Sequence, residues 1–220
     1  MVIEVKDYSK KIGKTDVLRE INLEMKSGRI YGLKGKNGSG KTMLMRAISG
    51  LIKPTSGAVI VDGNVIGEDI CFPQSIGVLL ENPGFLAEYT GYKNLKLLAD
   101  IKGVIDDEQI IQVLEKIGLG EAADKKYRKY SLGMKQKLGI AAAIMEKPEI
   151  VLLDEPTNAL DENGVEQFRQ ILLDLKEEGK LIVWSSHDTE ELKKFSDEIF
   201  VMSSGRIINH LIRKEEWREI

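Results

Sequence analysis

Residues 35–42 read Gly-Lys-Asn-Gly-Ser-Gly-Lys-Thr, and this run is where the chain could do chemistry. Gly35, Gly38 and Gly40 let the backbone turn tightly, so that the N–H groups of Lys36, Asn37, Gly38, Ser39 and Gly40 can wrap a phosphate chain. A helix starting immediately afterwards adds its positive end to that cradle. Lys41 would reach the β and γ phosphates, each charge-assisted hydrogen bond contributing roughly 1.5–3 kcal/mol, and the Thr42 hydroxyl is a suitable ligand for Mg²⁺. The bland alternative is a glycine-rich turn, but a plain turn gives Lys41-Thr42 no purpose. About 110 residues further on, the apolar run Ile150-Val151-Leu152-Leu153 ends in Asp154-Glu155. Asp154 is suited to the hydration shell of Mg²⁺, and Glu155 to orienting or deprotonating an attacking water. Its bland reading is a strand ending in an acidic cap, with Pro156-Thr157 opening a helix.

The elements that must hold these groups are legible around them. Arg29–Leu33 has the composition of a strand and 43–49 that of a helix, the context that distinguishes a phosphate-binding loop from a chance match. Further β-type runs at Val2–Val5, Ile21–Met25, Ala58–Val61 and Ile76–Leu80 are separated by Ser27-Gly28, Pro54-Thr55-Ser56-Gly57 and Asp62-Gly63. From Tyr92 to Met145 apolar residues recur at helical spacing with no strand between them, which predicts an inserted helical subdomain over 85–145. Segments 1–84 and 146–220 then form the core of a single domain. Strands at Ile150–Leu153, Leu181–Ser185 and Ile199–Met202 alternate with helices near Val165–Lys176 and Thr189–Phe195, the rhythm of a parallel sheet. The tail from Lys214 to Ile220 reads as a surface helix packing Trp217.

A chain of 220 residues with 42% hydrophobic and 30% charged residues can bury a sizeable core without staples. The net charge of −3 provides no basic field for nucleic acid and no polybasic anchor for anionic lipid. Cys71 is the one cysteine, which excludes an internal disulfide and a multi-cysteine zinc site and fits a reducing cytoplasm. No apolar run approaches the roughly 20 residues of a membrane span. Any membrane role must therefore come through a partner.

Taken with the phosphate loop, Leu153-Asp154-Glu155-Pro156-Thr157-Asn158-Ala159-Leu160-Asp161 resembles the acidic strand, catalytic glutamate and D-loop (Asn158, Ala159, Leu160, Asp161) of ABC transporter ATP-binding subunits. Twenty-six residues beyond Asp161, Ser185-Ser186-His187-Asp188 is similar to that family's switch-histidine segment. On its own His187 would read as an ordinary surface or core residue. Tyr130-Ser131-Leu132-Gly133-Met134-Lys135-Gln136-Lys137 occupies the place of the signature that opens a helix and presents Ser131, Leu132, Gly133 and Met134 to ATP held by a second subunit. Ser131 equally suits an ordinary helix N-cap. The resemblance spans essentially the whole chain. It implies a RecA-like P-loop NTPase core with a parallel sheet, an N-terminal antiparallel β subdomain and an inserted α-helical subdomain. It also implies ATP and Mg²⁺ as ligands, with Lys41, Glu155 and His187 catalytic and Thr42, Glu81 and Asp154 around the metal.

Three departures stand out. Leu132 and Met134 replace a glycine and the glutamine of the common Leu-Ser-Gly-Gly-Gln form. Glu81, following Ile76–Leu80, stands where the family places a glutamine, as in the bacitracin-resistance and lantibiotic-immunity exporters; Gln74 precedes that strand. Ile12 aligns with the aromatic on which the family stacks adenine, a contact worth roughly 1–3 kcal/mol, and Tyr8 is near it in sequence. The resemblance implies an ATPase motor subunit of a bacterial exporter that pairs head to tail, its helical subdomain pushing on separate integral membrane subunits. The alternatives are a soluble ABC ATPase on ribosomes or DNA, opposed by the single cassette and the absence of an inserted coiled coil, and a nucleotide-gated regulatory module with little turnover.

Overall fold

The computed structural model describes residues 1–81, 84–213 and 217–219. The strand-and-turn texture of the first third resolves into two long strands, β1 (Val2–Ile12) and β2 (Thr15–Lys26), followed by β3 (Arg29–Lys34). The phosphate-binding loop leads from β3 into α1 (Lys41–Ile48). Next come β4 (Ser56–Val61), β5 (Asn64–Val65) and β6 (Ile76–Leu79). Segment 85–145 contributes helices and no multi-residue strand: α2 (Gly91–Lys102), α3 (Asp107–Lys116), two short 3₁₀ turns and α4 (Leu132–Ile144). The α/β alternation then resumes with β7 (Ile150–Leu153), α5 (Glu162–Glu177), β8 (Leu181–Ser186), α6 (Thr189–Phe195) and β9 (Glu198–Ser203), closed by β10 (Arg206–Arg213) and β11 (Trp217–Glu219).

Two sheets result. The smaller is antiparallel in the order β2-β1-β4-β5. The larger runs β11-β10-β9-β3-β8-β7-β6, with its five strands from β9 to β6 parallel and β10 and β11 antiparallel at one edge. Successive side chains of the parallel strands point to opposite faces, and both faces are dry. Ile30, Val151, Leu153, Ile182 and Trp184 join the apolar cluster with α2 to α6. Tyr31, Leu33, Ile150, Leu152, Leu181 and Val183 join the cluster with α1 and the antiparallel sheet.

Local chemistry explains the boundaries of the helices. Thr90, Ser131 and Asp161 cap α2, α4 and α5 by accepting N–H groups of the first turn, and Asp106 with Gln109 forms a reciprocal capping box on α3. Strand β6 lies so close to α4 that a Cβ on Gly77 would stand 1.7 Å from the Ala143 carbonyl oxygen.

The tail differs from the helix expected of it. Trp217–Glu219 is a strand pairing Arg213 with Trp217, and the Arg213 guanidinium lies 5.4 Å from the indole centroid. Lys214, Glu215, Glu216 and Ile220 lie outside the described residues. The register decides against the helix: Leu211–Arg213 presents a free strand edge, and pairing with it satisfies backbone groups that a surface helix would leave open. β10 was also not foreseen. Its signal was Ser204-Gly205 between two apolar runs, and both residues have positive φ (48° and 76°), the two-residue hairpin geometry.

Candidate functional site

The phosphate-binding loop follows β3, Asp154 follows β7 and His187 follows β8, so these groups gather at the carboxyl ends of three adjacent parallel strands. That edge is where open α/β sheets bind ligands. Gly40, at φ 109°, stands at the N-cap of α1 and supplies no side-chain cap, so the first amides of the helix are available to an anion. Gly35 has to be glycine: a Cβ there would meet the Ser39 hydroxyl at 2.3 Å and the Met202 carbonyl oxygen at 2.7 Å. The loop is pinned from outside as well. Gly205 N–H donates to the Ser39 carbonyl (2.9 Å) and Arg19 N–H to the Gly205 carbonyl (2.8 Å), tying it to β2 and to the β9–β10 hairpin. Lys36, Asn37 and Gly38 form its exposed rim.

The charged groups converge behind the loop. Asp154 is buried and accepts two hydroxyl hydrogen bonds, from Thr42 on one carboxylate oxygen and from Ser185 on the other. Glu155 has a left-handed backbone, φ 47°, rare for a non-glycine residue. Its N–H donates to Ser185 Oγ (2.9 Å), and its carbonyl accepts from Gln136 Nε2 (3.1 Å). Its Oε1 lies 3.3 Å from Lys41 Nζ, and its Oε2 lies 3.1 Å from His187 Nδ1. Lys41 Nζ also donates to the Gly35 carbonyl at 2.7 Å. A proton on His187 Nδ1 makes its contact with the Glu155 carboxylate a hydrogen bond. Among the described residues Ser39 Oγ is buried with no hydrogen-bond partner, and Glu155 Oε1 is buried with the Lys41 ion pair as its contact. Both residues line a cleft of about 440 Å³ together with Thr15, Asp16, Val17, Arg19 and the rest of the loop. An orphaned hydroxyl beside a free helix terminus, with the Thr42 hydroxyl and the Asp154 carboxylate in contact, suits a Mg²⁺-bound polyphosphate.

The family model described as ABC transporter matches residues 18–158. The chain belongs to the ABC transporter ATP-binding family. The cassette is 47% identical over 206 residues to the uncharacterized ABC transporter ATP-binding protein YybJ of Bacillus subtilis, covering 94% of each chain. It is 42% identical to the bacitracin transport ATP-binding protein BcrA of Enterococcus faecalis, covering 96% of this chain and 69% of that one. With the lantibiotic transport ATP-binding protein SrtF of Streptococcus pyogenes the identity is 35%, over 94% and 89% of the two chains. Among solved structures, the dimeric bacterial ABC transporter cassette MJ0796 superposes with a TM-score of 0.87 at 27% identity, covering 96% and 99%. The cassette is thus an ABC ATPase that binds and hydrolyses ATP, built on the P-loop NTPase fold.

The other residues singled out in the sequence fall into two groups. Ser131 caps α4, Leu132 is 64% exposed, and Met134 is half-buried against the helical cluster. Gly133 lies against the turn 158–161: a Cβ there would stand 2.6 Å from the Ala159 carbonyl oxygen. Ala159 itself has φ 69°, Leu160 is half-buried, and Asp161 caps α5. Asn158 is exposed, its N–H donating to the Glu155 carbonyl at 3.2 Å.

Two further residues were expected at the nucleotide, Ile12 at the base and Glu81 at the metal. Ile12 is 51% exposed at the β1–β2 hairpin and is absent from the cleft lining, where its cross-strand partner Thr15 is found. Tyr8 cannot replace it, because it is fully buried with its hydroxyl donating to the Ile52 carbonyl at 3.1 Å. Glu81 follows β6, and its carboxylate pairs with Arg46 of α1 at 2.7 Å, one helical turn beyond Thr42. An exposed carboxylate next to a free guanidinium takes that partner. The sequence alone assigned no role to Val17, Arg19, Ser185, Gly205 or Gln136, although Ser185 and Gln136 lie within the switch-histidine and signature segments. Ser185 had a signal, a serine ending an otherwise apolar buried strand. Arg19 and Gly205 had none, since only the tertiary fold brings them to the loop.

Proposed function

We propose that this cassette is the motor subunit of a bacterial exporter for antimicrobial peptides or related drugs, working as a dimer with separate membrane subunits. The observation carrying the catalytic part is the convergence of Lys41, Thr42, Asp154 and Glu155 on one cleft, with His187 in contact with the Glu155 carboxylate. The triphosphate lies along 35–42, its oxygens taking the loop amides and the Lys41 ammonium, which leaves its bond with Gly35. Thr42 and Asp154 would hold Mg²⁺, which would supply charge neutralisation to the bound triphosphate. Glu155 orients the attacking water, and His187 contacts the γ-phosphate and keeps the Glu155 carboxylate aligned. The base has no aromatic platform and rests against the Thr15–Arg19 edge of the cleft.

Hydrolysis at this centre requires a second copy. Ser131, Gly133 and the start of α4 offer a hydroxyl and free amides as the cap on ATP bound by the partner, with the turn 158–161 between the two sites. The segment 85–145 then moves with nucleotide state and passes that motion to the membrane subunits. The exporter assignment is supported by similarity to proteins named for bacitracin and lantibiotic transport.

Glu155→Gln tests the mechanism. The variant is expected to bind Mg·ATP, to lose turnover by at least about a hundredfold and to run as a dimer in size-exclusion chromatography with ATP. Turnover near wild type would remove Glu155 from its role. Bacitracin or lantibiotic resistance in cells carrying the cassette and its membrane subunits, lost on Lys41→Ala, tests the substrate class.

A further inference from the structure

The start of α4 touches the catalytic loop at two points. Gly133 leaves no space above the Ala159 carbonyl, and three residues on, buried Gln136 donates its amide nitrogen to the carbonyl of Glu155. Only the nitrogen end of that amide can face a carbonyl oxygen, so the orientation of the side chain is fixed. Glu155 is the residue whose backbone most needs holding, because its left-handed φ costs energy that its surroundings must over-determine. Its N–H is secured by Ser185, which also donates to Asp154. Its carbonyl is shared between the next turn, through Asn158 N–H, and Gln136. Gln136 is the contributor from the helical segment.

We infer that Gln136 is a positioning residue for hydrolysis: it clamps the Glu155 carbonyl and keeps the left-handed turn that aims the Glu155 carboxylate between Lys41 and His187. The inference rests on the proposed role of Glu155. It adds a consequence for the dimer. Ser131 and Gly133 of one copy cap the ATP of the partner, while Gln136, one to two turns along the same helix, holds the Glu155 that serves the copy's own ATP. A shift of α4 at one nucleotide is therefore felt at the other through this hydrogen bond.

Gln136→Glu preserves size but presents an acceptor to the Glu155 carbonyl at neutral pH, and Gln136→Leu removes the donor without charge. In the full chain both are expected to lower kcat about tenfold or more, with the calorimetric Kd for Mg·ATP within about twofold and the dimer retained in ATP. A role that is only structural would lower residual turnover by the same factor whether or not Glu155 is present. Acting through Glu155, Gln136→Glu is instead expected to cost less than about twofold when added to Glu155→Gln in single-turnover assays. Equal losses in both backgrounds, an unchanged kcat in both single variants, or a parallel fall of affinity and kcat overturns the inference. Failure of the wild type to hydrolyse ATP would instead overturn the proposed function.

Discussion

Lys41 holds two acceptors in the structure, the Gly35 carbonyl and the Glu155 carboxylate, and a triphosphate must compete for it. Charge-assisted bonds of roughly 1.5–3 kcal/mol each predict that Lys41→Ala weakens ATP binding by at least about tenfold in calorimetry, and unchanged affinity would count against the loop as the phosphate site. Ile12→Ala, by contrast, is expected to leave the Kd within about twofold, because Ile12 is not on the cleft; a larger loss would return it to the base. These two residues also mark how far the sequence could be read. Asp154 and Glu155 were legible because they directly follow a visible apolar strand, Lys41 and Thr42 because the glycine spacing of 35–40 places them at a helix start, and His187 only through the resemblance of the segment that ends β8. Ile12 and Glu81 were placed by alignment alone. Their surroundings are tertiary and do not show in local spacing: Ile12 is exposed at a hairpin, and Glu81 pairs with Arg46, one helical turn from Thr42. Gln136 was equally hidden, since a glutamine on a helix gives no sign that it faces a catalytic backbone carbonyl.

Elements meet most tightly where α4 crosses β6. Gly77→Ala would drive a methyl into the Ala143 carbonyl, and with backbone on both sides the strand and helix must separate. An overpacking cost of about 1–3 kcal/mol predicts a fall in Tm of about 2–12 °C, read by calorimetry; no change would mean that this contact yields freely. The core between the two sheets carries a different constraint, seen in Tyr8 and Tyr31, whose hydroxyls burial pushes up to about 12. Unfolded tyrosine ionises near 10, so the stability these neutral rings contribute is complete below about pH 10 and is lost as pH rises toward 12. Tyr8→Phe should cost about 1 kcal/mol at pH 7, from the bond to Ile52, and make the alkaline loss shallower in urea unfolding. An equally steep loss would exclude Tyr8 as a source. Helices and central strands were legible from periodicity. The edge strands β10 and β11 were not, because half-exposed pairs at a sheet margin show little alternation.

At the scale of the whole molecule, the proposed function requires the cassette to pass a nucleotide-driven movement to a partner. No helix among the described residues is long and apolar enough to cross a membrane. The helical segment nevertheless exposes Leu97 and Ile101, one turn apart on α2, with Val104 just beyond it, and Ile101 is 78% exposed. Their apolar surface costs solubility and contributes nothing to the two cores, so a partner surface accounts for it better than folding does. If the membrane subunits of the proposed exporter bind there, Ile101→Asp should leave the ATPase rate of the isolated cassette within about twofold and reduce its co-purification with those subunits at least tenfold. The substitution is far from the cleft residues and removes no buried contact, so an effect on basal turnover is not expected. Undiminished co-purification would move the transmission surface off α2, and loss of basal ATPase would show instead that this face supports the cassette itself.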